Sequence, residues 1–341
     1  MGIFSYVESF FSSPPPTQRF VDRYVLVTGC DSGGIGNLIA KALHRRGYHV
    51  FAGCPSESSF RELLASRDRS STFHPVILDV TKDSSIQACA RMIAANTKEK
   101  GLFAVVNNAG CNEGFAFELT SAEEITKAMD LNFMGPIKII KALLPSLRQN
   151  IRYNIQKPSK QQDISPRIIN ITSVLGRTTI PFYGAYSASK HALEAMLDTI
   201  RVELLPWKIH VTMIEPCPIR PRTGTPTPVE TYNRLHSSPH ITEQTLSLYG
   251  EECIKRAADF WQKLYTGEDS PKDVVRTVVE AMEVGFPKDR YVIGTAARMH
   301  VMMNDFLPRW VIDLAWGSMI RLIGAWPKQA KELENGVVTT E

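Results

Sequence analysis

From Arg23 onward the chain alternates short apolar runs with longer stretches whose apolar residues recur at helical spacing. The short runs are "YVLVTG", "YHVFAGC", "HPVILDV", "LFAVVNNAG", "RIINITS" and "IHVTMIEP". They are apolar on both faces rather than alternating, the pattern of strands in a parallel sheet covered on both sides. Between them lie helical patterns such as "NLIAKALHRRG", closed by Gly47, then "SIQACARMIAANTKEK" and "AEEITKAMDLNFMGPIKIIKALLPSLRQN". The alternation predicts an α/β protein with a doubly wound parallel sheet. Residues 151–166 are polar, carry two prolines, and are expected to form an exposed loop. After about residue 216 the rhythm weakens. "TEQTLSLYGEECIKRAADFWQKLY" and "SPKDVVRTVVEAMEVG" predict helices, the second with Ser270 as N-cap and Pro271 at its first position, and "DRYVIG" predicts a last strand. The expected organisation is an N-terminal amphipathic segment (1–21), a single sheet domain that includes the substrate region (22–300), and a C-terminal helical extension and tail (301–341).

Composition narrows the function classes. The chain has 341 residues, 43% hydrophobic and 22% charged, with a net charge of +4. That charge is too weak to argue for nucleic acid. The six cysteines are scattered, with no CxxC and no Cys/His cluster, so neither a zinc site nor a disulfide scaffold is expected. No signal peptide is expected either: the first residues lack a basic n-region and stop at Pro14–Pro16. The opening Met-Gly lacks the Ser or Thr of an acylation signal at position six, where Tyr6 stands.

Chemistry first shows at the end of the first strand. "VLVTGCDSGGIGNLIAKAL" puts Gly29, Gly33, Gly34 and Gly36 between a strand and a helix. Glycines there permit close approach of backbone to a pyrophosphate, and the helix N-terminus adds N–H groups and a favourable dipole. A Rossmann fold binding a dinucleotide follows as the expectation. Asp79, ending "VILDV", is placed to hydrogen-bond an adenine amine, and Asn107 to Gly110, "NNAG", could pack against the cofactor. The place of a ribose-binding acid is taken by "GCPSE", with neither an acid nor an arginine at Cys54. Asp31 in the turn would repel a 2′-phosphate, so NAD is preferred to NADP. A second signal is "YSASK": Tyr186 and Lys190 are four apart, on one face of a helix. Alone, that pair is equally an ordinary surface pair.

The glycine turn, "NNAG", "NITSVLGR" and "YSASK", in this order, resemble the short-chain dehydrogenases/reductases, in the branch of retinol and hydroxysteroid dehydrogenases. The resemblance covers roughly residues 22–300. It implies Tyr186 as general acid/base, Lys190 favouring the phenolate by its charge and binding the nicotinamide ribose, Ser173 orienting the substrate oxygen, and Asn132 completing a proton relay. It also implies cofactor contacts at Gly29, Asp31, Gly34, Ile35, Gly36, Asp79, Asn107, Ala109, Gly110 and Pro216, besides Tyr186 and Lys190. No metal is implied. Two departures stand out. "TGCDSGGIG" carries one residue more than the family's turn before its closing Gly34-Ile35-Gly36. Cys217 replaces the family's Gly after Pro216, and Thr223 or Thr225 would face the carboxamide.

The region after 216 is rich in aromatics, namely Trp261, Tyr265, Phe306, Trp310 and Trp316, which suits a lipophilic alcohol or carbonyl. Packing of the core or of a dimer contact would also use them. "FLPRWVIDLAWGSMIRLIGAW" confines Arg309, Asp313 and Arg321 to about a third of a helix surface and leaves a wide apolar face. Peripheral or monotopic membrane association is expected from it, although a helix capping the site would look similar. The resemblance suggests the endoplasmic reticulum, with the mitochondrion as alternative, and a homodimer. Two other functions stay open: an acyl-dihydroxyacetone-phosphate reductase using Arg220 and Arg222, and a nucleotide-binding scaffold without turnover.

Overall fold

The structure is a computed structural model that describes residues 22–65, 72–112, 114–156, 165–217, 219, 227–264 and 270–335. In chain order the elements are β1 (Tyr24–Val27), α1 (Ile35–Arg45), β2 (His49–Cys54), α2 (Glu57–Ala65), β3 (Phe73–Ile77), α3 (Asp83–Thr97), β4 (Ala104–Asn107), α4 (Ala122–Met129), a π-helical turn (Asp130–Met134) and α5 (Gly135–Gln156). There follow β5 (Arg167–Ile171), α6 (Gly184–Glu203), β6 (His210–Pro216), α7 (Pro228–His236), α8 (Glu243–Tyr249), α9 (Glu251–Leu264), α10 (Pro271–Glu283), β7 (Arg290–Ile293), α11 (Thr295–Phe306), α12 (Arg309–Leu322) and α13 (Lys328–Glu334).

The strands form one parallel sheet in the order β3-β2-β1-β4-β5-β6-β7. Successive residues of β1 point to opposite faces: Val25 and Val27 enter one core with α1 and α10, and Leu26 enters the other with α3, α5 and α6. Both faces are covered, which is why β1 reads as a continuous apolar run. The order reverses between β1 and β4. The crevice beyond the C-terminal ends of these two strands is where such a sheet binds ligands.

Three local expectations change. Residues 151–156 do not begin a loop: α5 continues through Gln156, and residues 157–164 lie outside the described residues. The stretch expected as one helix from Thr242 is two, α8 and α9, broken at Gly250, whose φ of +76° is open to glycine at little cost. α11 runs across the boundary drawn at residue 300 and packs on the sheet domain. The N-terminal segment (1–21) lies outside the described residues. α10 starts as expected: the backbone N–H and the hydroxyl of Ser270 both donate to Asp273 Oδ2, at 2.9 and 3.0 Å.

Candidate active site

The glycine turn leaves β1 and enters α1 with Gly34 as N-cap, so the N–H groups of Ile35 and Gly36 begin the helix. Two glycines are required by contact. A Cβ on Gly29 would sit 2.8 Å from Ala109 Cα, and one on Gly36 would sit 2.2 Å from the Gly29 carbonyl oxygen. Gly33, by contrast, takes φ +76° with nothing within 4 Å of its would-be Cβ. The Gly34 N–H donates to the Asp31 carbonyl at 3.0 Å and Gly36 packs on Gly29, so the turn is tight and lined by backbone. That is the shape a pyrophosphate needs.

The strand beside it holds the turn in place. Asn108 Nδ2 donates to the carbonyl oxygens of Thr28 and Gly29, both at 3.1 Å, and Thr28 Oγ1 accepts the N–H groups of Asn108 (3.0 Å) and Ala109 (3.1 Å). Neither Thr28 nor Asn108 was singled out from the sequence as a determinant of the turn. Asn107, expected to pack against the cofactor, is buried in the sheet and its Nδ2 donates to Asn170 Oδ1 at 2.9 Å. Asp79 lies just past β3. Its Oδ1 accepts from the Thr81 N–H (3.0 Å) and hydroxyl (2.6 Å), and its Oδ2 faces Lys82 Nζ at 3.0 Å. Burial opposes ionisation there, but these donors outweigh it and hold the carboxyl below its ordinary range. Asp31 lies near the end of β2: after burial, its charge is the second cause that pushes the Cys54 thiol up to about 11.

The catalytic candidates converge at the ends of β4 and β5. Lys190 is nearly buried on α6, and its Nζ donates to the Ile171 carbonyl at 3.0 Å and lies 5.7 Å from the centre of the Tyr186 ring. Ser173 follows β5. Its Oγ accepts the Leu175 N–H at 3.1 Å, which orients the oxygen and leaves its proton to donate. Asn132 is fully buried in the π-helical turn, a distortion frequent at functional sites. Its side chain clasps the backbone of Cys111 in both directions (Oδ1 from N–H, 2.8 Å; Nδ2 to carbonyl, 2.9 Å) and donates to Ser189 Oγ at 3.0 Å. Ser189 Oγ in turn donates to the Tyr186 carbonyl at 2.7 Å, a link the sequence reading missed. A Cβ on Gly110 would lie 3.1 Å from Asn132 Oδ1 and 3.7 Å from Lys190 Nζ, so these two groups face each other across a bare backbone.

The Tyr186 ring belongs to an apolar cluster with Val174, Leu175, Tyr183, Ala297, Val301, Cys217, Phe260, Trp316 and Met319. Cys217 packs against the same cluster, a side chain where the family has a glycine. Phe182 takes φ +69°, a costly conformation for a bulky residue, and its ring lies 5.1 Å from that of Phe115. It joins this cluster to a second one formed by Phe115, Leu119, Leu235, Leu246 and Ile254. Arg220, Arg222, Thr223, Thr225 and Tyr265 lie outside the described residues, as does the side chain of Trp261. None of the six cysteines is in a disulfide.

A doubly wound sheet with a backbone cradle at its switch point and a Tyr–Lys pair beside it defines a dinucleotide-dependent redox enzyme. Comparison with known proteins gives the family. The short chain dehydrogenase profile matches residues 23–230. Retinol dehydrogenase 7 of Mus musculus is 32% identical over 319 residues, covering 91% of this chain and 93% of its own. The 17-beta-hydroxysteroid dehydrogenase type 6 of Rattus norvegicus is 32% identical over 298 residues, covering 86% and 87%. A short-chain dehydrogenase from Streptomyces avermitilis shares the fold, with a TM-score of 0.63 at 21% identity over 93% of this chain and 99% of that one. A short chain dehydrogenase from Burkholderia cenocepacia J2315 in complex with NADP does so at TM-score 0.60 and 22% identity, covering 86% and 97%. The chain belongs to the short-chain dehydrogenase family, in its retinol and hydroxysteroid dehydrogenase branch, and is an NAD(P)-dependent oxidoreductase.

Proposed function

We propose that this enzyme interconverts a lipophilic secondary or allylic alcohol, retinoid-like or hydroxysteroid-like, and its carbonyl, with NAD preferred to NADP. The observation that carries this reading is the Tyr186 ring set in an apolar cluster with Phe260, Trp316 and Met319. A polar substrate would strand its hydroxyls against that wall. The cradle of Gly29, Gly34, Ile35 and Gly36, flanked by Ala109 and Gly110, fits a dinucleotide pyrophosphate, with Asp79 and Pro216 as further proposed contacts. Bound there, a nicotinamide dinucleotide supplies hydride-accepting and hydride-donating chemistry. In oxidation Tyr186 removes the hydroxyl proton while Ser173 donates to the same oxygen and fixes its direction. Lys190, held at the Ile171 carbonyl, sets a positive charge one helical turn from Tyr186 and would bind the nicotinamide ribose. Asn132 and Ser189 hold the Cys111 backbone against the Tyr186 turn. Preference for NAD rests on Asp31 near the end of β2, where Glu57 opens α2 with a second carboxylate.

The test is a panel of retinols, hydroxysteroids and 3-hydroxybutyrate, each with NAD and with NADP, followed by nicotinamide absorbance. Turnover of the lipophilic alcohols, faster with NAD, is the expected result. Turnover of 3-hydroxybutyrate alone would refute the substrate class.

The reading includes a bilayer surface, taken from the resemblance to be that of the endoplasmic reticulum. Its support is the α11–α12 hairpin. Met299, Met302, Met303 and Phe306 recur at i, i+3, i+4 and i+7 on α11, all on the exposed side, and Trp310 and Leu314 continue the patch on α12. The opposite sides carry Ala297, Val301 and Trp316 into the Tyr186 cluster. The hairpin is therefore both wall and outer surface, which accommodates the two uses expected of this segment. Its three arginines (Arg298, Arg309, Arg321) against two aspartates (Asp305, Asp313) suit anionic headgroups. Among the described residues no helix is long and apolar enough to cross a membrane, so the surface would lie in the interface. The full chain should sediment with vesicles containing phosphatidylserine, and Phe306→Asp with Trp310→Asp should weaken that binding about tenfold or more. Unchanged sedimentation of this double variant would remove the hairpin from the reading.

A further inference from the structure

Behind the Tyr–Lys pair lies a cluster of charges that the reaction does not use. Glu194 sits on α6 one turn after Lys190, Glu215 is the next-to-last residue of β6, and Arg290 opens β7. Arg290 Nη1 donates to Glu194 Oε2 at 2.5 Å and to Glu215 Oε1 at 2.6 Å, and its Nη2 donates to Asp198 Oδ2 at 2.7 Å. The side chains of Glu194 and Glu215 are 4% and 0% exposed, and that of Arg290 22%. From the Ser173 side, Arg177 approaches Glu215 Oε2 at 3.7 Å and pairs with Asp305 of α11 at 2.6 Å. Gly176 is bare because a Cβ there would lie 2.4 Å from Glu194 Oε1.

We infer that Arg290 is a positioning residue: it holds the Glu194 carboxylate and so prevents Glu194 from pairing with Lys190 one turn earlier on α6. A carboxylate and an ammonium four apart on a helix are natural partners. Here Lys190 Nζ instead bonds the Ile171 carbonyl, and Glu194 is turned beneath Gly176 toward β7. Glu194 Oε1 has no hydrogen-bond partner, so this carboxylate has an open acceptor. Arg290 bonds the carboxylate and shares its guanidinium with Glu215 and Asp198, Arg177 reaches Glu215, and Lys190 and Asp198 stand four residues before and after Glu194 on α6. Of the cations, Arg290 bonds Glu194 directly and Lys190 stands one helical turn before it. Burial opposes the charge of Arg290, yet its hydrogen bonds to Glu194 and Glu215 hold it above the ordinary arginine range. Burial and the neighbouring Glu194 charge raise Glu215 above the ordinary carboxylate range. Without Arg290, Glu194 takes Lys190, and the ammonium leaves the Tyr186 ring and the cofactor cradle.

This inference rests on the roles proposed above for Tyr186 and Lys190. The test compares Arg290→Met alone with the same change combined with Glu194→Gln or with Glu215→Gln. It reads kcat and KM for the alcohol, affinity for reduced nicotinamide cofactor by fluorescence titration, and melting temperature. Arg290→Met should lower kcat about tenfold and weaken cofactor binding about fivefold, with KM for the alcohol within about twofold. Adding Glu194→Gln should restore both to within about threefold, whereas adding Glu215→Gln, which relieves as much buried charge but frees no lysine, should not. Equal recovery by both second changes, or recovery by neither, overturns the inference and leaves a purely structural cluster. If Arg290→Met does not fold alone, the two double variants compared directly decide it: the Glu194→Gln form must bind cofactor better by about fivefold. If the wild type turns over nothing on the panel, the reaction reading has failed, while the cofactor titration still tests Arg290.

Discussion

Tyr186→Phe is expected to lower kcat for alcohol oxidation by roughly 10²- to 10⁴-fold, the range for loss of a positioned acid/base. The change removes one oxygen and leaves the ring, which packs in the cluster of Val174, Leu175 and Val301. Melting temperature and affinity for the reduced cofactor should therefore stay near wild type. Tyr183 supplies the control. Its ring meets that of Tyr186 edge-on at 6.4 Å, but no lysine follows it at four residues. Tyr183→Phe should retain most turnover. If Tyr186→Phe keeps activity within about tenfold of wild type, the proton is handled by another group and the mechanism proposed here is wrong.

Gly36→Ala should be the most damaging single methyl in the cofactor cradle. The added carbon would lie 2.2 Å from the Gly29 carbonyl oxygen and 2.6 Å from Asn108 Nδ2. The first of these is backbone and cannot swing away, so the turn must open. Overpacking of this kind costs about 1–3 kcal/mol, and the same distortion in the cradle should weaken cofactor binding by about tenfold or more. Gly33→Asn gives the contrast. Gly33 has positive φ, but open space surrounds it and asparagine tolerates that conformation, so stability should change by no more than about 1 kcal/mol. Fluorescence titration with reduced cofactor and thermal melts would compare the two. Wild-type affinity in Gly36→Ala would refute the assignment of the extended turn.

Much of the site was legible because its chemistry is local. Tyr186 and Lys190 share a helix face, and the glycines of the turn stand within eight residues of one another. Asn108 was harder. Alternate strand residues face opposite ways, and the sequence does not say where β4 stops. Asn107 turned out to be its last inward residue, bonded to Asn170, while Asn108 is the first free to bend toward Gly29. The end of α5 was misread for a similar reason: polar residues on an exposed helix turn look like those of a loop. The break at Gly250 between α8 and α9 was missed as well, because the helical patterns on both sides of the glycine read as one helix.

By itself the sequence determined the doubly wound architecture, the phosphate turn and the Tyr–Lys pair, because hydrophobic period and glycine placement act within a few residues of chain. Only the tertiary structure decided which distant groups meet. It set Arg290 against Glu194 and Glu215, joined Ser189 to Asn132, and folded the α11–α12 hairpin so that one side walls Tyr186 and the other is bare. Periodicity tells a residue which way to face. What it faces depends on strand order and loop path, and no stretch of local sequence encodes either.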